Sequence, residues 1–163
     1  MKKQPEITDK TRQNFVSAFW SLAEEKPISK ITVSTLTKRA GYNRSTFYEY
    51  FLDIVDLLNY IETSLLNDIK DKIRQCPNET NFTASLFQTI FVAMNEKIYL
   101  LLGPNGDLNF FTRVKAELIP VVKSFLPFPS DTPYFDYLVC FVNGAAFSLL
   151  QDWNAKGRDI SIQ

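Results

Sequence analysis

Residues 43–46 read Asn-Arg-Ser-Thr, and two tyrosines, Tyr48 and Tyr50, follow within four positions. An arginine side chain offers two parallel N–H donors that match the acceptors of guanine in the DNA major groove, whereas hydroxyl and amide groups can also reach phosphate oxygens. Ser45 and Thr46 are small, which lets the backbone of a helix come close to base edges. The run is therefore typical of a surface that contacts nucleic acid.

Two short helices must position these side chains. Thr32 can cap a helix over residues 33–40, and Gly41 then stands where a left-handed residue ends that helix. Glycine suits this position because it has no Cβ to clash at positive φ. Asn43 can cap a third helix, which we expect to run over residues 44–51.

The predicted third helix has two different faces. A rotation of about 100° per residue places Phe47 and Phe51 together, toward Leu36 and Ala40 of the preceding helix. The residues expected to point the opposite way are polar: Ser45, Thr46 and Glu49. Two helices joined by a glycine turn, with a polar second helix, form a helix-turn-helix unit whose second helix can enter the major groove.

The reach of each side chain suggests its role in this unit. Arg44 fits either a guanine base or a phosphate, and its residue type does not decide between them. Hydroxyl groups on the flanks, and at the start of the second helix, are expected to bind phosphates that fix the register: Thr32, Ser34, Tyr48 and Tyr50. The backbone N–H groups at the starts of helices two, three and four are expected to add anion-binding ends.

Helical periodicity continues along the rest of the chain, and no segment reads as a strand. A first helix is expected over residues 9–25, capped by Thr8 or Asp9, and a fourth over residues 54–75, capped by Asp53. Further helices are expected over residues 81–98, 108–125 and 134–156.

The predicted fold class is all-α, with two domains. An N-terminal three-helix head with the helix-turn-helix unit covers residues 1–53, and a C-terminal helical bundle covers residues 54–163. Charge divides in a similar way: residues 1–51 carry nine Lys/Arg and five Asp/Glu, and the remainder carries nine and thirteen, for a net charge of zero. The head is mildly basic and the body is acidic.

The segment ITVSTLTKRAGYNRSTFYEYFLDIVDLL, residues 31–58, resembles the DNA-binding head of the tetracycline-repressor (TetR) family of regulators. The family pattern is an apolar residue and Thr, a short helix ending in Ala-Gly, and a recognition helix ending in Phe/Leu-Tyr-x-x-Phe. Here that ending is residues 47–51. The resemblance is specific over residues 9–65 and weak elsewhere.

This resemblance implies an all-helical homodimer that binds a near-palindromic operator in double-stranded DNA, more often to repress than to activate. The body would dimerise and, as often in the family, hold a small effector. The positions that match DNA contacts of the family are Asn43, Arg44, Ser45, Thr46, Tyr48 and Tyr50. One position departs from the family pattern: Ile54 stands where members commonly have a lysine. Loss of that phosphate contact is expected to lower the salt dependence of binding by about one unit of slope.

Several other classes of protein find little support in the composition. The chain has no histidine, and its two cysteines, Cys76 and Cys140, are far apart, so neither a zinc site nor a Cys-His nucleophile is expected. We expect no cofactor and no enzymatic activity. The apolar run over residues 138–150 is too short to span a bilayer, and no basic start precedes an early apolar run, so a cytoplasmic protein without a membrane segment is expected.

The body leaves two interpretations open. Ten of the fourteen phenylalanines follow residue 80, and they would either line an apolar effector pocket or fill the core and a dimer interface. Gly144, Ala145 and Ser148 form a small-residue face that favours close packing of a second helix. A rival function keeps the same fold: an adaptor or coactivator that acts through a protein partner and binds an operator weakly.

Overall fold

The structure is a computed structural model that describes residues 5–75, 96–103, 106–123 and 134–156. All regular secondary structure in these segments is helical, as the sequence predicts. Two compact units divide the chain. Residues 5–64 belong to the first unit, and most of the remaining described chain belongs to the second. The predicted boundary between the DNA-binding head and the helical body, at residue 53, stays a prediction.

The first unit contains the helix-turn-helix elements. Helix α1 spans Pro5–Glu25, a single 3-10 turn spans Ile28–Lys30, and α2 spans Val33–Ala40. Helix α3 covers only Arg44–Tyr48. Helix α4 spans Ile54–Arg74, and its first half completes the unit. Helix α2 packs on α1 and α3 packs on α2.

An apolar core holds these short helices. A five-residue helix cannot persist alone, because so few residues form too few intrahelical hydrogen bonds to offset the cost of ordering them. Helix α3 therefore depends on packing, which Phe47 provides with its fully buried ring. The other core side chains with no exposed surface in this unit come from three helices: Phe15, Phe19, Leu36 and Leu57.

The second unit contains the end of α4 and three more described helices. Helix α5 spans Glu96–Leu102, α6 spans Leu108–Lys123 and α7 spans Phe135–Ala155. The three contact one another, and Ile98, Leu101 and Phe110 are buried between them. An ion pair of 2.5 Å joins Lys70 of α4 to Glu117 of α6. Pro120 lies inside α6, which continues through it to Lys123.

Three predicted helix ends were wrong by three or four residues. Helix α1 begins at Pro5, not Asp9, so neither Thr8 nor Asp9 caps it; proline is tolerated in a first helical turn, where its missing N–H has no partner to lose. Helix α3 ends at Tyr48 instead of residue 51. Helix α5 continues to Leu102, beyond the predicted end at 98, and the part of that prediction over residues 81–95 lies outside the described residues.

Candidate nucleic-acid interface

Helix α2 begins with a reciprocal cap. The Thr32 hydroxyl accepts a hydrogen bond from the backbone N–H of Thr35 at 3.2 Å, and the Thr35 hydroxyl accepts one from the backbone N–H of Thr32 at 3.1 Å. The cap that the sequence predicts at Thr32 is confirmed. Thr32 remains exposed, and so does Ser34 two residues further on. Both predicted phosphate ligands are accessible at the start of α2, although the cap already occupies the Thr32 hydroxyl.

The turn between α2 and α3 has the predicted left-handed glycine. Gly41 adopts φ 74°, and its N–H donates to the Thr37 carbonyl. The next N–H, that of Tyr42, donates to the same carbonyl at 3.0 Å, which closes the end of α2. The Tyr42 hydroxyl then accepts a 2.8 Å hydrogen bond from the Asn14 side chain of α1. The turn is therefore fixed to α1 as well as to α2.

The start of α3 exposes three of the residues predicted to contact DNA. Asn43, Arg44 and Ser45 are all exposed, while Phe47 on the opposite face is completely buried and packs edge-on to Phe15 at 5.4 Å. Asn43 precedes the helix with an extended backbone, but its side chain makes no capping hydrogen bond. Among the described residues, no carboxylate pairs with Arg44. A free guanidinium at a helix start is disfavoured by the helix dipole, so an anion in front of it would stabilise it.

The two tyrosines differ in their surroundings. Tyr48 is 54% exposed at the last residue of α3, as expected of a flank that faces a ligand. Tyr50 is only half-exposed, because its ring lies 6.3 Å from that of Phe15 and close to Arg12 of α1. Thr46 is also half-buried. The outward face of this segment is therefore narrower than the sequence predicts, since the chain leaves the helix after Tyr48.

The start of α4 is closed by two carboxylates. Asp53 accepts a hydrogen bond from the backbone N–H of Asp56 at 2.8 Å, which confirms the predicted cap. The Asp56 carboxylate in turn accepts from the backbone N–H of Leu52 at 2.9 Å. Carboxylates therefore occupy the Asp56 N–H of the first turn and the Leu52 N–H before it, and their negative charge makes this helix end less favourable to phosphate than expected. Leu52 and Val55 beside them are 80% and 63% exposed.

The two cations at the end of α2, Lys38 and Arg39, differ in their surroundings. Arg39 donates to the Glu25 carboxylate at 2.8 Å and to the Ser21 hydroxyl, both on α1. The hydrogen bond from Arg39 lowers the pKa of the Glu25 carboxyl, and the same contact raises the pKa of Arg39. Lys38 is exposed and has no ion-pair partner among the described residues. Arg39 therefore ties α2 to α1, while Lys38 stays available to an anion.

A cavity of about 180 Å³ lies along the end of α4 in the second unit. Its lining is aliphatic and charged: Leu65, Asp68, Ile69, Asp71, Lys72, Gln75 and Ile98. No phenylalanine lines it, so it is not the aromatic effector pocket that the sequence suggests. Of the phenylalanines considered for such a pocket, Phe110 is buried and Phe141 is exposed. Phe82, Phe87 and Phe91 lie outside the described residues.

Two further observations concern the described residues. No group of three or more Cys, Asp or Glu side chains there is arranged to hold a metal ion. Among the helices described, none combines the length and the apolar character that crossing a membrane requires.

Comparison with known proteins gives a match in structure but not in sequence. No protein-family model matches the chain, and no curated protein matches it. The fold is shared with a solved regulator. The fatty acid degradation regulator FadR from Bacillus halodurans superposes with a TM-score of 0.71 and 17% sequence identity, over 99% of this chain and 91% of that one. At 17% identity the similarity establishes the fold alone, and any function must be argued from the residues described above.

Several contacts around the interface were not foreseen from the sequence. They join residues that are distant in the chain: Asn14 to Tyr42, Arg39 to Glu25, and Arg12 to Tyr50 and Tyr60. No local spacing indicates such pairs. The second carboxylate at the start of α4 did have a signal, because Asp53 and Asp56 stand at the spacing of a capping box.

Proposed function

We propose that this chain is a sequence-specific DNA-binding transcriptional regulator of the TetR type. The observation that carries the proposal is the contrast between the two sides of α3. Arg44 and Ser45 are exposed and carry groups that can form hydrogen bonds, and Phe47 on the opposite side is buried. A short helix anchored by one buried aromatic and offering a free guanidinium is suited to enter a major groove.

The contacts divide into base reading and phosphate binding. Asn43, Arg44 and Ser45 lead α3 and are assigned to the groove, where Arg44 would read a guanine or hold a phosphate. The remaining proposed DNA contacts are assigned to the backbone: Thr32, Ser34, Thr46, Tyr48 and Tyr50. Tyr48 is the best placed of the tyrosines because it is more exposed than Tyr50. Specificity therefore depends on the first turn of α3.

Function as a homodimer follows from the same proposal. Helix α7 has a face on which the described side chains are all exposed or half-exposed, and it includes Tyr137, Phe141, Gly144 and Ser148. Tyr137 and Phe141 are 76% and 72% exposed, and nothing lies within 4 Å of the position that a Cβ on Gly144 would occupy. Large apolar side chains beside a small residue favour close packing of a helix from a second copy. Two recognition helices could then enter grooves about 34–36 Å apart on a near-palindromic operator.

The same proposal includes control by a small apolar effector that binds in the helical body. It also includes repression of transcription and a cytoplasmic location. Binding of such an effector would release DNA only if it favoured a geometry in which the two recognition helices no longer match successive grooves. No catalytic activity and no cofactor are proposed.

Selection of bound fragments from sheared genomic DNA of the source organism tests the proposal. Wild type is compared with an Arg44→Ala/Tyr48→Ala double variant, in parallel and at near-physiological salt. We expect the wild type to enrich a near-palindrome and the variant to lose it. An Arg74→Ala variant changes an exposed arginine of the second unit and should enrich the same sequence as the wild type. Failure of the folded wild type to enrich any sequence would contradict the proposal.

The start of α4 favours a second candidate function, that of an adaptor acting through a protein partner. Ile54 replaces the lysine common in the family, Asp53 and Asp56 occupy the helix N-terminus, and Leu52 and Val55 are exposed. An acidic and apolar surface next to α3 would weaken the binding of DNA phosphates. The same surface is complementary to a basic, apolar segment of another protein. Capture of a specific protein that Leu52→Ser/Val55→Ser abolishes, without operator enrichment, would favour this candidate.

A further inference from the structure

Arg12 of α1 lies over two tyrosine rings from different parts of the first unit. Its guanidinium carbon is 5.9 Å from the ring centroid of Tyr50 and 5.5 Å from that of Tyr60. Tyr50 follows α3, and Tyr60 lies on α4. Asp9, one turn earlier on α1, accepts a hydrogen bond from Arg12 at 3.3 Å. One cation therefore connects α1, the end of α3 and α4.

Both rings are also held by buried phenylalanines. The Tyr50 ring lies 6.3 Å from that of Phe15, and the Tyr60 ring lies 5.7 Å from that of Phe51. The Arg12 side chain is 32% exposed, so its attraction to the two rings is only partly screened by water. The negative faces of both rings favour a cation here over a neutral side chain of similar length.

Helix α3 has a particular need for such an anchor. It has five residues, and two of the hydrogen bonds at its end share a single carbonyl: the N–H groups of Tyr50 and Phe51 both donate to Phe47, at 2.9 and 3.0 Å. So short a helix does not set its own direction, and its orientation depends on what holds its two ends. The Asn14–Tyr42 bond holds the turn before it, and Arg12 provides a polar contact beyond its other end.

We propose that Arg12 is a positioning residue for DNA recognition: by contacting the rings of both Tyr50 and Tyr60, it fixes the angle at which α3 presents Arg44 and Ser45 to the groove. The inference rests on the proposed function. It also assigns the Tyr50 ring a role in orienting α3, beyond any contact of its hydroxyl with phosphate. Arg12 itself needs no contact with DNA.

Hydrogen exchange of the DNA-free protein tests the link itself. Arg12→Met keeps the aliphatic stem and removes the cation, so we expect the Tyr50 and Phe51 amides to exchange roughly fivefold faster. Tyr60→Leu, which leaves Arg12 in place, should have a similar effect, and Arg12→Lys should restore much of the protection. The Leu36 amide, which donates to Thr32 at the start of α2, should not change. Arg74→Met is the matched control, because Arg74 has the same kind of exposed pair with Asp71 at 3.1 Å but no ring contact among the described residues.

Binding to the selected operator tests the role in recognition. We expect Arg12→Met to weaken specific binding by a similar factor of roughly five while leaving the slope of log affinity against log salt unchanged. A slope reduced by about 0.9 would overturn the proposal, because it would make Arg12 a phosphate ligand. Unchanged exchange at Tyr50 and Phe51 would also overturn it. A wild-type protein that binds no DNA would contradict the proposed function instead, and this failure is separate because the exchange measurement needs no DNA.

Discussion

The Asn14 side-chain amide donates a hydrogen bond to the Tyr42 hydroxyl at 2.8 Å, and this bond fixes the helix-turn-helix turn to α1. The Tyr42 ring also packs against the buried Phe15 ring at 5.2 Å. Tyr42→Phe keeps that packing and removes only the hydroxyl. We expect it to lower the free energy of unfolding by about 0.5–1.5 kcal/mol, measured by urea denaturation.

Tyr134→Phe is the control for that measurement. Tyr134 is 77% exposed, so removal of its hydroxyl should change the free energy of unfolding by less than about 0.5 kcal/mol. Equal losses in Tyr42→Phe and Tyr134→Phe would show that the bond to Asn14 contributes nothing specific.

The left-handed turn at Gly41 gives a second prediction. A Cβ at this position would meet no atom within 4 Å, so Gly41→Ala causes backbone strain but no clash. At φ 74° the strain should cost roughly 1–2 kcal/mol in unfolding free energy, measured by thermal or urea denaturation. Gly41→Asn should cost clearly less, because asparagine tolerates the left-handed region. Equal stability of the alanine variant and the wild type would contradict the observed turn.

The contact between Arg39 and Glu25 gives a pH prediction. Because Arg39 lowers the pKa of the folded-state carboxyl, the contact stabilises the fold above the ordinary glutamate value of about 4.5, and this stability is lost as the pH falls through the lower folded-state pKa. Glu25→Gln should therefore flatten the fall of unfolding free energy on acidification. The effect should be small because the pair is exposed and screened. Glu24→Gln is the matched control, because it removes a neighbouring exposed carboxylate that has no partner among the described residues.

The exposed face of α7 gives a prediction about assembly. Phe141→Asp places a charge at the centre of the proposed dimer contact and should weaken self-association by about 2 kcal/mol, measured by sedimentation equilibrium over a range of concentrations. Leu52→Asp is the matched control, since Leu52 is equally apolar and 80% exposed but lies in the first unit. A wild type that is monomeric at every concentration would contradict the homodimer.

Much of the helix-turn-helix unit could be predicted because its signals are local. Thr32, Gly41 and Asp53 act through backbone groups within a few residues, so their roles as caps and turn follow from residue type and position. The burial of Phe47 follows from helical spacing. Such features need no knowledge of the rest of the chain.

The features that could not be predicted depend on distant residues. Phe51 is buried as expected, yet it lies beyond the end of α3, because the chain leaves the helix after Tyr48. The same early end changes the surroundings of Tyr50, which packs toward Arg12 and Phe15 of α1. Helical spacing predicts a single helix surface over residues 44–51. Which of its side chains remain exposed to a ligand depends on the packing of α1 and α4.

The most direct test of the central claim is the affinity of wild type and Arg44→Ala for the selected operator and for a scrambled sequence, measured by fluorescence anisotropy at several salt concentrations. If α3 reads DNA, Arg44→Ala should lose about 1–3 kcal/mol on the operator. An unchanged affinity for the scrambled sequence would make Arg44 a base contact, and an equal loss there would make it a phosphate contact. Arg74→Ala should bind as the wild type does. Operator binding that survives Arg44→Ala unchanged would contradict the claim that the exposed face of α3 recognises DNA.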